Sequence, residues 1–186
     1  MLLTLIIVIG LLYGFYMGYR RGILLQSVHL VGLAVTILIA LKFNESLAKL
    51  AELFVPFPAL QQGSQLVLYD EATSFFIDDA FYRAISFVAI LFLGWLIIQL
   101  VTYFLKDSSY FDVENIANKV AGAIFNTIVT YFVLFLGLFI LSLVPLEPIQ
   151  QMFVDSPIAY SVVSSTPVVS DMANEAWLRV LPTKGP

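Results

Sequence analysis

Four stretches of this chain contain no charged side chain: Met1–Tyr19, Ile23–Leu41, Ala84–Leu105 and Val120–Leu146, of 19, 19, 22 and 27 residues. A helix needs about 20 largely apolar residues to cross the roughly 30 Å hydrocarbon layer of a bilayer, and each stretch is that long or nearly so. The pattern predicts an all-α integral membrane protein, a four-helix bundle with spans at about 1–19, 23–41, 84–105 and 120–146. A soluble domain would need charge around its core, yet all nine basic and 13 acidic residues fall outside these stretches. The 60% apolar content, against roughly 45–50% in an average soluble domain, agrees.

Other classes of protein lack their raw material here. There is no cysteine, hence no disulfide framework, thiol nucleophile or cysteine metal site. A single histidine and a net charge of −4 argue against a histidine-rich metal centre and against a nucleic-acid surface. No metal or cofactor is expected, and nucleic acid is not a partner. Asp70, Glu71, Asp78 and Asp79 are carboxylates in a loop, but no metal-binding spacing, phosphate loop or nucleophile elbow accompanies them. They read as a solvated face, and the chain reads as a non-enzyme.

The N-terminus lacks the leading positive charge and small-x-small site of a secretory signal, so it is expected to stay uncleaved. Arg20, Arg21, Lys106 and Lys119 crowd two short connections on one side of the membrane. Lys42, Lys49, Arg83, Arg179 and Lys184 are spread over far longer segments on the other. Because orientation follows Lys/Arg density in short loops, the two tight connections should be cytoplasmic and both termini extracytoplasmic.

The residues between the second and third spans have their own pattern. Asn44 precedes Leu47, Leu50, Ala51 and Phe54 at helical spacing, which predicts a short interfacial helix within the 43–83 loop. Pro56 and Pro58 end it, and Gln61–Gln65 reads as a polar turn region. Two prolines and three glutamines make Leu53–Tyr69 too costly to be a fifth span. A second segment, from about Asp70 through Asp79, is expected to run helically into the third span. Residues 1–146 thus form a four-span domain, and 147–186 an extracytoplasmic tail. Ser156-Pro157 and Thr166-Pro167 each set a capping residue before a proline suited to the first helical position, so two short tail helices are expected, with Trp177 resting on the bilayer or the bundle.

Small and polar residues inside the spans carry the most specific patterns. Gly10, Gly14, Gly18 and Gly22 recur every four residues, forming a groove that another backbone can approach closely, and Gly122 continues the theme in the fourth span. Gln26, His29 and Thr36 fall on one stripe of the second span, Gln99 and Thr102 lie in the third, and Asn126 and Thr130 in the fourth. Such faces point inward and act as polar contacts between helices. Asn126 is expected to find partners among Gln26, His29 or Ser86. The interior has no carboxylate, which counts against an ion-coupled pump.

The order Gly-x-Arg-Arg-Gly at Gly18–Gly22, then Ile-Leu-Leu-Gln-Ser-Val-His-Leu-Val-Gly, then a short loop into Asn-Lys-Val-Ala-Gly resembles the colicin V production protein (CvpA) family. That family consists of small bacterial membrane proteins with four predicted spans, and the resemblance runs from about residue 1 to 180. Its fourth span typically opens with an Asp-Arg pair and glycines four apart; here Asn118-Lys119 precede Gly122, and Asn126 and Thr130 stand where further glycines would be. The resemblance implies a link to toxin production or export, or to envelope homeostasis. The residues themselves suggest a membrane assembly or accessory protein whose partners are the lipid bilayer and either a second copy or other membrane proteins. The alternative is a small-solute channel or transporter lined by the intramembrane polar residues.

Overall fold

A computed structural model describes residues 1–58, 66–69, 77–106 and 115–178, with the backbone alone for Leu24, Leu105 and Lys106. Gly22 adopts φ 72° and ψ 171°, a conformation open in practice to glycine alone, and divides the helical run Leu2–Phe54 in two. The parts are α1 (Leu2–Ile23) and α2 (Leu25–Phe54), followed by α3 (Ile77–Lys106) and α4 (Ile116–Ser142). These four helices are long and apolar enough to cross a membrane. The short helices α5 (Glu147–Val154), α6 (Pro157–Ser165) and α7 (Val169–Ala173) follow, the last continuing into a π-helical turn at Asn174–Leu178. No strand occurs among the described residues.

Residues 44–54 are helical, but they are not a separate interfacial helix: α2 runs through Asn44 without a break. Asn44 can cap a helix only where the backbone leaves the helical region, and no glycine or proline precedes it to make that happen. The first real stop is Val55, extended as the residue before Pro56 must be. The polar turn expected at Gln61–Gln65 and the helical lead-in at 70–76 lie outside the described residues. Within the described residues α3 begins at Ile77, and Asp78 and Asp79 in its first turn complement the positive end of its dipole.

The tail contains one helix more than the capping pattern predicts. The additional helix, α5, starts after Leu146, which offers no capping oxygen, and it relies on Pro148 in its first turn. Helix α6 starts as expected, with Ser156 Oγ accepting from the Ala159 N–H at 3.3 Å ahead of Pro157. Thr166 does not cap α7. It closes α6 instead, its hydroxyl donating to Val162 O (2.6 Å) and its N–H donating to Ser170 Oγ (3.0 Å). Val168 then takes φ 69°, an uncommon conformation for a β-branched residue, and α7 begins after it.

The chain separates into two compact units, one of Met1–Leu5, Asn44–Ser86 and Phe135–Pro186, the other of Ile6–Phe43 and Phe87–Leu134. The first, which contains the tail, is called the tail unit below; the second is called the glycine unit.

Candidate functional site

In the glycine unit α1 meets α4 in an antiparallel register that steps by four residues. A Cβ placed on Gly10 would lie 3.1 Å from Leu134 Cδ1, and one on Gly14 would lie 2.7 Å from Thr130 Cβ. A Cβ on Gly18 would lie 2.6 Å from Asn126 Cβ and 2.8 Å from Ala123 Cα. On Gly122 it would lie 2.7 Å from Gly18 O. At Gly14, Gly18 and Gly122 no side chain fits without moving a helix, so the glycine row is where the two backbones touch. Asn126 Nδ2 donates to Gly14 O at 2.6 Å. The next turn is closed by Thr130 Oγ1, which donates to Asn126 O at 2.8 Å.

This corrects the expected partners of Asn126, which are not Gln26, His29 or Ser86. Glycine removes the side chains that would otherwise shield a helix carbonyl, so a short amide can reach the backbone itself. Asn118 accepts from the Ile23 N–H at 2.8 Å and so satisfies a backbone donor at the α1–α2 break. Sequence reading assigned Asn118 no role, although its position one turn before Gly122 on the same row was the available signal.

The second pair of helices, α2 and α3, repeats the device. A Cβ on Gly32 would lie 2.6 Å from Ile98 Cδ1, and one on Gly94 would lie 2.9 Å from Thr36 Cβ. Thr36 Oγ1 donates to Gly32 O (2.8 Å) and Thr102 Oγ1 to Ile98 O (2.7 Å), so both hydroxyls bond within their own helices. His29 is 7% exposed; its Nδ1 pairs with Leu25 O at 2.9 Å and its Nε2 with Gln99 Oε1 at 3.3 Å. Gln26, one turn earlier, is 0% exposed, and neither its amide oxygen nor its nitrogen has a partner among the described residues. Toward the α1–α2 break, the Arg20 guanidinium lies 5.8 Å from the Tyr16 ring centre and Lys119 Nζ 5.9 Å from that of Tyr19.

The tail unit contains a different kind of site. Arg83, its side chain 11% exposed, lies 3.1 Å from both Glu45 on α2 and Asp79 on α3. A cavity of about 120 Å³ opens there, edged by Lys49, Glu52 and Asp78 as well. Asp79 is therefore part of an ion-paired network, not merely a solvated carboxylate; Asp70 and Glu71 lie outside the described residues. Among the described residues no group of three or more His, Cys, Asp or Glu side chains could hold a metal.

Two contacts that sequence reading missed organise the rest of that unit. Gln150 of α5 donates to Ser142 O (3.1 Å) and Val144 O (2.8 Å), while its Oε1 accepts from the Val67 N–H (2.9 Å). The Tyr69 hydroxyl and Ser142 Oγ are 2.9 Å apart, and burial pushes the Tyr69 phenol up to about 12 despite that contact. Trp177 is buried, with its ring centre 5.2 Å from that of Phe139 on α4, so of its two expected places it takes the one against the bundle.

Comparison with known proteins adds two findings. The family model described as colicin V production protein matches residues 3–167. Over 179 residues the chain is 28% identical to an uncharacterized transmembrane protein, YshB, of Bacillus subtilis (strain 168), a match covering 95% of this chain and 97% of that protein. No solved structure matches the chain.

Proposed function

The chain belongs to the colicin V production protein family, and from that membership we propose that it is a non-enzymatic assembly or accessory protein of a bacterial cell membrane. On this reading it serves toxin production and export or envelope homeostasis. The observation that carries the reading is the use to which the interior polar groups are put. Asn126 reaches across to Gly14 O and His29 to Gln99, as residues that hold a bundle together do, while the Thr36 and Thr130 hydroxyls are satisfied within their own helices. The end of the glycine unit bearing Arg20, Arg21 and Lys119 faces the cytoplasm, and both termini face outward. Its partners are other membrane proteins or a second copy, met through lipid-facing helix surfaces.

In-membrane crosslinking with mass spectrometry tests the proposal. A reproducible set of secretion or envelope proteins linked to this chain supports it, and a chain linked to nothing but lipid overturns it. A second reading, a small-solute channel or transporter, is favoured by Gln26, whose buried amide has no partner among the described residues. Vesicles reconstituted with the protein that show no conductance or uptake between pH 5 and 8, and no change on His29→Ala, would retire it.

A further inference from the structure

Charge in the glycine unit has one sign. Its described residues, 6–43, 87–106 and 115–134, contain no aspartate or glutamate, and both ion pairs among the described residues belong to Arg83 of the tail unit. Arg20 and Arg21 occupy the last turn of α1, and Lys119 the first turn of α4. The two turns adjoin, since a Cβ on Gly22 would lie 3.1 Å from Asn118 Oδ1 and the Lys119 ammonium lies over the Tyr19 ring. Arg20 lies over Tyr16 in the same way. A ring face attracts a cation without supplying a lone pair, so the N–H groups of both side chains remain open to an acceptor.

Below Arg20 the same face of α1 continues into the hydrocarbon layer as apolar surface. Tyr16 and Leu12, one and two turns before Arg20, are 55% and 66% exposed, and Val8 and Leu5 extend the ridge. A soluble anion would meet only the charged end of this surface. A phospholipid matches both parts, with its phosphate level with the cations at the end of the span and an acyl chain along the ridge. We propose that Arg20, Arg21 and Lys119 form a headgroup site for an anionic phospholipid, one whose phosphate has no ammonium beside it. In phosphatidylcholine the headgroup's own cation faces those of the protein and offsets the attraction. The arginines offer paired N–H groups to the phosphate oxygens, and Lys119 adds a point charge from the neighbouring helix. The site stands apart from the assembly role proposed above, and either can fail without the other.

Native mass spectrometry of the full chain in detergent, titrated with equal amounts of phosphatidylglycerol and phosphatidylcholine of matched acyl chains, tests the site. One cation at a membrane surface favours an anionic lipid by about fivefold, so the unaltered chain should bind phosphatidylglycerol over phosphatidylcholine by about fivefold or more. Equal binding of the two lipids overturns the proposal without any variant being needed. An Arg20→Gln, Lys119→Gln double variant should bring the ratio below about twofold while its phosphatidylcholine binding and melting temperature stay as before. A Lys42→Gln, Lys49→Gln variant removes the same charge elsewhere and should keep the full preference. An undiminished ratio in the first variant, or an equal fall in both, would contradict the site by tracing the preference to other residues or to net charge. Glycerol phosphate in large excess over lipid should leave the ratio unchanged; loss of the preference would make a free phosphate the occupant and overturn the lipid assignment.

Discussion

The two compact units hold their helices together by opposite means. In the glycine unit the contacts are made by what is missing: Gly14, Gly18 and Gly122 bring backbones together, and the hydrogen bonds run from short polar side chains to carbonyls. In the tail unit the contacts are made by what is present: Gln150, Tyr69, Arg83 and the Phe139–Trp177 ring pair reach across gaps with long side chains. Lipid tails are as apolar as leucine, so burying apolar surface does little to join helices in a bilayer, and close van der Waals approach takes its place. The tail unit includes segments beyond the ends of the spans, where burial, ion pairs and hydrogen bonds regain their usual roles.

The sharpest way to break this contrast is Gly18→Leu. Its Cβ alone would meet Ala123 Cα and Asn126 Cβ, so a loss of about 3 kcal/mol or more is expected, read as a collapse of the thermal unfolding transition in detergent. Gln150→Ala removes three hydrogen bonds in the tail unit and should cost about 2 kcal/mol, with protease cutting near Val67 appearing before global unfolding. Tyr69 offers a pH test. Its phenol is held neutral in the folded chain up to about 12 by burial, against an ordinary value of 10, so stability is fully present below pH 10. It should then fall as pH rises toward 12, because the unfolded chain releases the proton first, and Tyr69→Phe should flatten that fall. Arg83→Met should have the smallest effect, about 1 kcal/mol, since Glu45 and Asp79 are both substantially open to water, and the variant should lose sensitivity to added salt.

The four spans were legible because charge is excluded from hydrocarbon, and each of the four charge-free runs lies for most of its length in a helix long enough to cross. Their ends were less so. The cap-like Asn44 suggested a new helix, yet a capping side chain is tolerated inside a continuous helix when nothing upstream breaks it. The α5 helix has no capping side chain to announce it, and Gln150 acts on groups distant in the chain, Val67 among them, which no local pattern reveals. The glycine spacing marked a close approach from the start, but which helix would fill the groove depended on matching Gly10, Gly14 and Gly18 against Leu134, Thr130 and Asn126, a register visible only once the helices are placed side by side.

That register is tested most directly by introduced cysteines, since the chain has none of its own. A Gly10→Cys and Leu134→Cys double variant, treated in native membranes with a short thiol-specific crosslinker, should give an internally bridged chain of monomer size, and Gly10→Cys alone should give no dimer. A dimer-sized product from Gly10→Cys, with no internal bridge in the double variant, would contradict the account by showing that the glycine row serves another copy of the chain instead of its own fourth span.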